Sequence, residues 1–313
     1  MSVYTTVTED ELRVYLAEFD AGELVAFEGI SAGIENTNYF VDTTCGRYVL
    51  TLFEQHDFKD LGYFLKLMAW LSEAEVPSAH PLAGKDGQYL RLLCGKPASL
   101  VQRLRGRSLE HSDEVHCAVI GGALAKMHLA GGGFSSHRAN DRDLDWMLTI
   151  RDKLAILADS ATLTIIDEEL GFQQMQNFLT LPSGVIHADL FLDNALFDGE
   201  ELTGIIDLYY ACHGAWLYDV AVTMNDWCRE SDLTINAHWA RELLLSYAGE
   251  RAWTDSEKQL WPAVARRAAL RFFLSRLHDK LIPREGELTQ TKDPIVFQTL
   301  LLWLRQYCPP LVG

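Results

Sequence analysis

The 313-residue chain is poor in basic side chains: 27 Lys and Arg stand against 44 Asp and Glu, a formal charge of −17 at pH 7. Nucleic acid and anionic membrane surfaces both demand basic patches, so neither is expected as a partner. No apolar run approaches the roughly 18 residues of a membrane-spanning helix. Residues 1–10 contain neither a basic stretch nor an apolar one, so no secretory signal is expected there. The six cysteines, at 45, 94, 117, 212, 228 and 308, include no Cys-x-x-Cys pair. Reduced thiols in a cytoplasmic protein are expected, with neither zinc nor disulfide. Internal repeats and low-complexity segments are also missing. With 48% hydrophobic residues, the chain can build one large or two moderate domains.

The pattern along the chain predicts an α+β protein. Strand-like runs cover 24–30, 38–43, 47–53, 88–93 and 96–103. A helix with Asp57 as N-cap carries Leu61, Phe64, Leu65, Met68 and Leu71 on one face. Beyond about residue 105 the pattern is mostly helical. Ser112 is expected to cap a helix through Leu129, ahead of a glycine break at 131–133. Further helices are expected at 143–158, 164–178, 215–228 and 236–248. Thr254 and Glu257 form a capping box, and Pro262 is expected to open a new helix at its first turn. This predicts a β-rich lobe at 1–103 and a larger helical lobe at 104–313.

The most informative segment is 185–207, Val-Ile-His-Ala-Asp-Leu-Phe-Leu-Asp-Asn-Ala-Leu-Phe-Asp-Gly-Glu-Glu-Leu-Thr-Gly-Ile-Ile-Asp. It sets His187, Asp189 and Asn194 on one polar loop. Asp198-Gly199 then makes a hairpin-type turn, and Asp207 closes the returning apolar strand. Phosphoryl transfer from ATP to a hydroxyl needs those groups: a carboxylate to accept the hydroxyl proton, and an amide plus a carboxylate to hold magnesium. A lone His-x-Asp is usually only a loop with a local hydrogen bond. The full pattern His-x-Asp-x4-Asn followed by a strand-end Asp is far more specific.

Residues 29–38, Gly-Ile-Ser-Ala-Gly-Ile-Glu-Asn-Thr-Asn, lie between two strands, and a glycine turn lets main-chain amides approach phosphates. Ile30, Ser31, Ala32 and Gly33 are therefore candidate nucleotide contacts. Alone, two glycines in a turn are only a turn. The segment 98–103, including Gln102, is expected to offer main-chain groups to adenine, walled by Ile30, Val41, Val49 and Leu196 or Ile206.

The catalytic segment resembles the aminoglycoside phosphotransferase and choline kinase superfamily. Several stretches are similar to its bacterial homoserine kinases: Gly-Ile-Ser-Ala-Gly-Ile-Glu-Asn-Thr-Asn-Tyr-Phe-Val at 29–41, Tyr-Val-Leu-Thr-Leu-Phe-Glu at 48–54, Gly-Lys-Pro-Ala at 95–98, Leu-Ala-Lys-Met-His-Leu-Ala-Gly at 124–131, His-Ala-Asp-Leu-Phe-Leu-Asp-Asn at 187–194, Trp-Leu-Tyr-Asp at 216–219 and Asn-Asp-Trp-Cys at 225–228. The likeness runs through nearly the whole chain in order. It implies a bilobal protein-kinase-like fold and ATP- and Mg2+-dependent phosphorylation of the L-homoserine hydroxyl, a step toward threonine. Asp189 would be the catalytic base or orienter, and Asn194 and Asp207 would hold magnesium. His187 would brace the loop, where an ordinary satisfied histidine is the plainer reading, and Asp219 would tie the loop from behind.

One position departs from the general kinase pattern. The strand that carries a phosphate-contacting lysine in many kinases has Thr51 there, and the following helix lacks the glutamate that pairs with it. Both halves of the ion pair are missing together, which avoids a buried unpaired charge. The resemblance implies the same threonine in homoserine kinases of this type. For the acceptor, Arg267 and Arg271 lie four apart on one helix face and can clamp a carboxylate; an internal ion pair with Asp226 is the structural alternative. Asp226 and Asn225 are candidates for the ammonium, and Tyr209 and Tyr210 for the pocket wall, with 140–146 as a lid or a solvated loop. Phosphorylation of choline, methylthioribose or an aminoglycoside, and a catalytically dead nucleotide-binding scaffold, are the competing readings.

Overall fold

The computed structural model describes residues 5–30, 36–54, 58–283 and 292–313. The chain forms two compact units. The first comprises Met1–Arg107, Phe134–Ser136 and Leu196–Tyr209, and the second Ser108–Gly133, His137–Ala195 and Tyr210–Gly313. The sequence suggested one division at 103/104. The segment 196–209 instead groups with the first unit for a local reason. Phe197 exchanges both main-chain hydrogen bonds with Arg107, at 2.9 and 3.0 Å, and Tyr209 packs edge-on against Phe53 and Phe64.

The first unit is built on an antiparallel five-stranded sheet, order β1-β2-β3-β5-β4, from β1 (Leu24–Gly29), β2 (Thr37–Thr43), β3 (Arg47–Leu52), β4 (Leu90–Leu93) and β5 (Lys96–Gln102). The register pairs Tyr39 with Leu50, Phe40 with Val49 and Asn38 with Thr51. Since side chains alternate across a strand, this register sorts them onto two faces. Tyr39, Val41, Leu50 and Leu52 bury themselves with Leu12, Tyr15 and Leu16 of α1 (Glu9–Leu16). Helix α1 starts at a capping box between Thr8 and Glu11. Asn38, Phe40, Val49 and Thr51 take the other face, where Thr51 Oγ1 donates to Asn38 Oδ1 at 2.7 Å. Val41, expected beside Val49 as an apolar wall, therefore lies on the opposite face, in the core.

Helix α2 (Phe58–Glu73) follows, and its expected cap, Asp57, lies outside the described residues. So do Ser31, Ala32 and Gly33 of the glycine turn. The expectation for 98–103 changes as well. Gln102 N–H donates to His80 O, Arg103 N–H to Arg47 O, and Leu100 O accepts from Leu82 N–H. These main-chain groups are spent inside the protein, because residues 78–82 run alongside β5. The unit is completed by β7 (Ala195–Asp198) and β8 (Glu201–Ile205), turning at Gly199 with φ +62°.

The second unit holds α3 (Glu114–Gly131), α4 (Leu144–Leu154), α5 (Ser160–Gln174), α6 (Trp216–Trp227), α7 (Ala237–Glu250), α8 (Asp255–Leu281) and α9 (Ile295–Leu304), with β6 (Ser183–Ile186) paired antiparallel to β9 (Cys212–Ala215). Two expectations about helix ends are corrected. Helix α3 is capped by Asp113, which accepts from His116 N–H, while Ser112 Oγ donates to Trp227 O. Pro262 opens no helix: α8 begins at the Thr254–Glu257 capping box and runs through it. A proline removes one helical hydrogen bond, but Trp261, Ala263, Val264 and Ala265 around it are all buried, and that packing carries the helix across. Residues 140–143 do not stand apart as a lid. Asn140 Oδ1 accepts from Arg142 N–H, and Asp143 caps α4.

Candidate active site

Strand β6 delivers its chain directly into the 187–194 loop, and α6 grips that loop from behind. Asp219, fully buried, accepts from His187 N–H and Ala188 N–H, both at 2.7 Å, and lies 3.1 Å from His128 Nε2. Burial opposes its charge, but the hydrogen bonds from His128 and from His187 N–H outweigh it and hold its carboxyl below the usual range. Ala188 sits at φ +65°, a costly conformation for a residue with a Cβ, which the two flanking amide bonds help to fix.

Two further groups of α6 hold the same loop. Asp226 Oδ2 accepts from Leu192 N–H at 3.0 Å, and Trp227 Nε1–H donates to Leu190 O at 3.0 Å. Spacings of seven and eight from Asp219 place all three on one helix face. Asp226 Oδ1 takes Arg229 at 3.2 Å, so both its oxygens serve structure, and the ammonium contact expected of it is not needed to explain its burial. Trp227 as a loop anchor was missed in sequence, though its i+8 spacing from Asp219 was the available signal.

Within the loop, Asn194 Nδ2 donates to the main-chain oxygen of Asp189 at 2.8 Å and to its Oδ2 at 3.3 Å. The amide nitrogen is thereby engaged, which leaves the amide oxygen as the acceptor atom of that side chain. Leu192–Asn194 form a 3-10 turn. His187 is fully buried.

Arg271 on α8 comes to the loop from the other side. Its Nη1 stands 3.8 Å from Asp189 Oδ1, and its guanidinium lies 3.8 Å from the Phe272 ring centre and 5.7 Å from that of Tyr210. Only 5% of Arg271 is exposed, and its Nε has no hydrogen-bond partner among the described residues. A guanidinium withdrawn from water normally has its donors matched, and here Nε is the donor left over. Arg267, one turn earlier, covers the Phe178 ring at 4.7 Å, and burial pulls it below the ordinary arginine range. Arg276, which sequence reasoning passed over, is pulled down to about 10 by burial and lies near Asp226 and Asp189.

The remaining candidates stand in the first unit. Asp207 is exposed, two residues past β8, at φ +60°. Tyr209 packs against the cluster of Phe53, Leu61 and Phe64 and hydrogen-bonds the Thr51 side chain. Val49 and Thr51 share one face of β3. Leu196 and Ile206 are both half-buried, Leu196 within β7 and Ile206 directly after β8. Ile30 N–H donates to Asn38 O at 2.8 Å. Among the described residues no helix is long and apolar enough to cross a membrane.

The chain is similar to known phosphotransferases throughout its length. A profile of the phosphotransferase enzyme family matches residues 26–265. Homoserine kinase of Methylobacillus flagellatus is 46% identical over 301 residues, covering 96% of this chain and 94% of that protein. Homoserine kinase of Neisseria meningitidis serogroup B is 41% identical, covering 97% and 100% respectively. Among solved structures, an amicoumacin kinase in complex with AMP-PNP and Ca2+ aligns with a TM-score of 0.68 at 14% identity, over 96% of this chain and 92% of that one, a likeness of fold. The chain belongs to the phosphotransferase enzyme family, within its homoserine kinase branch.

Proposed function

We propose that this protein transfers the γ-phosphoryl group of ATP to the side-chain hydroxyl of L-homoserine, giving O-phospho-L-homoserine and ADP in the cytoplasm. The relatives' name supports the acceptor, and one observation carries it to this chain: the buried, donor-rich guanidinium of Arg271 beside Asp189. A small acceptor whose carboxylate meets Arg271 presents its other end toward Asp189. Choline and aminoglycosides are cationic, so a buried arginine here disfavours them.

In this reading Asp189 orients the hydroxyl and takes its proton late, as the new P–O bond forms and the β–γ bridging bond breaks. Arg267 adds positive potential to the acceptor side. Asn194 and Asp207 would hold magnesium; one amide and one carboxylate oxygen suit a hard cation that keeps waters and phosphate oxygens as its other ligands. Bound magnesium would neutralise charge on the transferring phosphoryl group. Ile30, Val49, Thr51, Leu196 and Ile206 would meet the nucleotide, together with the 31–33 turn. With no lysine at 51, Thr51 leaves the phosphates to main-chain amides and the cation. Incubation with ATP, magnesium and a panel of L-homoserine, L-serine, choline and an aminoglycoside tests this through ADP release. Turnover with L-homoserine far above the others is expected, and preference for a cationic acceptor refutes it.

A further inference from the structure

Behind Asp219 runs a buried chain of hydrogen bonds that no catalytic assignment above uses. Its members come from four helices: His128 on α3, Asp219 on α6, Tyr247 and the C-capping Arg251 on α7, and Glu257 in the first turn of α8. Arg251 Nε lies 3.2 Å from Tyr247 Oη, Tyr247 Oη 2.7 Å from His128 Nδ1, and His128 Nε2 3.1 Å from Asp219 Oδ2. His128, Asp219, Tyr247 and Glu257 are fully buried. Glu257 neutralises Arg251 through both guanidinium Nη atoms.

The chain has only one self-consistent direction. A guanidinium only donates, so Tyr247 oxygen accepts from Arg251 and its own proton points at His128 Nδ1. Nδ1 is then an acceptor, the ring proton sits on Nε2, and Nε2–H donates to Asp219. An imidazolium would put a second N–H against the Tyr247 oxygen and leave the hydroxyl proton no acceptor among the described partners. The opposite tautomer would turn a lone pair toward the Asp219 carboxylate.

We propose that Tyr247 is a positioning residue for the reaction: its hydroxyl, oriented by Arg251, locks His128 as the neutral Nε2–H tautomer, and this keeps Asp219 holding the two loop amides that aim Asp189. The proposal rests on the reading above only for the reaction being timed. Burial lowers the basicity of His128, while Asp219 and Glu257 raise it and Arg251 lowers it further. The ring faces Asp219 and Trp216 from α6, Tyr247 and Arg251 from α7, and Glu257 from α8. His187 faces Asp219 from the loop side and donates its main-chain N–H to it.

Tyr247→Phe deletes the hydroxyl and keeps the ring. Ring-nitrogen NMR of the wild type is expected to show His128 protonated at Nε2 alone well below the pH at which a free imidazole takes its second proton. In Y247F, a second tautomer or an imidazolium is expected at a pH where the wild type shows neither. Turnover is expected to fall on the order of tenfold, because small displacements of an aiming group are costly. The KM values for ATP and L-homoserine are expected to stay within about twofold, since ground-state binding is untouched. The acid limb of the kcat profile is expected to move to higher pH. Adding His128→Gln, whose amide donates to Asp219 and never titrates, is expected to flatten that limb again. H128Q by itself reads the same dependence should Y247F not fold, and a limb that still tracks wild type there overturns the proposal. An unchanged His128 signal in Y247F, or a kcat loss that H128Q leaves untouched at every pH, overturns it too. If the wild type phosphorylates no L-homoserine, the functional reading fails, yet the ring-nitrogen signal still decides the tautomer.

Discussion

Asp189 and Arg271 carry opposite charge 3.8 Å apart, and their expected contributions differ in kind. Asp189→Asn keeps shape and hydrogen bonding but loses the proton acceptor, so kcat is expected to fall by about a thousandfold while nucleotide affinity, measured directly by titration, stays near wild type. Arg271→Met removes a charge-assisted contact to the acceptor, which predicts an L-homoserine KM raised roughly ten- to a hundredfold with little change in the ATP KM. Equal rises in both constants would mark Arg271 as structural. At this scale the sequence was readable where the chemistry is local. Asp189 and Asn194 are five residues apart on one loop, and their hydrogen bonds follow from that spacing. The role of Asp226 was not readable, because its partner Leu192 N–H lies 34 residues earlier in the chain and only tertiary packing brings the two together.

Helix α6 turns a loop of awkward backbone into a fixed platform. Asp219, Asp226 and Trp227 bind three points of it, and the cost of Ala188 at positive φ is offset there. Elements themselves were legible. The strands of the first unit match their expected spans to within two residues at each end, since alternation of apolar and polar side chains is a local signal. Helix limits were less so. The cap of α3 moved from Ser112 to Asp113 because Ser112 found a partner in Trp227, and Pro262 failed to interrupt α8 because both its flanks are buried. The α3–α7 packing makes a further prediction. A Cβ on Gly121 would collide with the main-chain oxygen of Leu243, where no rotamer change relieves it. Gly121→Ala is expected to destabilise the fold by about 1–3 kcal/mol in denaturant titration, with the KM values unchanged. A variant as stable as wild type would show that the two helices are not in close contact there.

For the molecule as a whole, the same buried pair that serves the loop sets the acid behaviour. His128 is held below its ordinary 6.5, with burial the largest cause, so the unfolded chain binds a proton that the folded one refuses. The stability it contributes is complete above that value and is lost as pH falls toward the lowered one. Asp219, held below its ordinary 3.8, contributes above that value and is lost on further acidification. The melting temperature is therefore expected to drop in two stages below neutral pH, His128 first, and H128Q is expected to remove the first stage. The net charge of −17, legible at once, gave the expectation that nucleic acid and anionic membrane are not partners. It did not say that the segment at Leu196–Tyr209 would rejoin the first unit, because the contacts that draw it there, to Arg107, Phe53 and Phe64, are distant in sequence.

The most direct trial of the central claim follows a heavy-oxygen label placed in the L-homoserine side-chain hydroxyl. Phosphorus NMR of the reaction with ATP and magnesium should show the label in the ester bridge of the amino-acid product, with one ADP formed per ester. Unlabelled inorganic phosphate accumulating with ADP, and no labelled ester, would contradict the account.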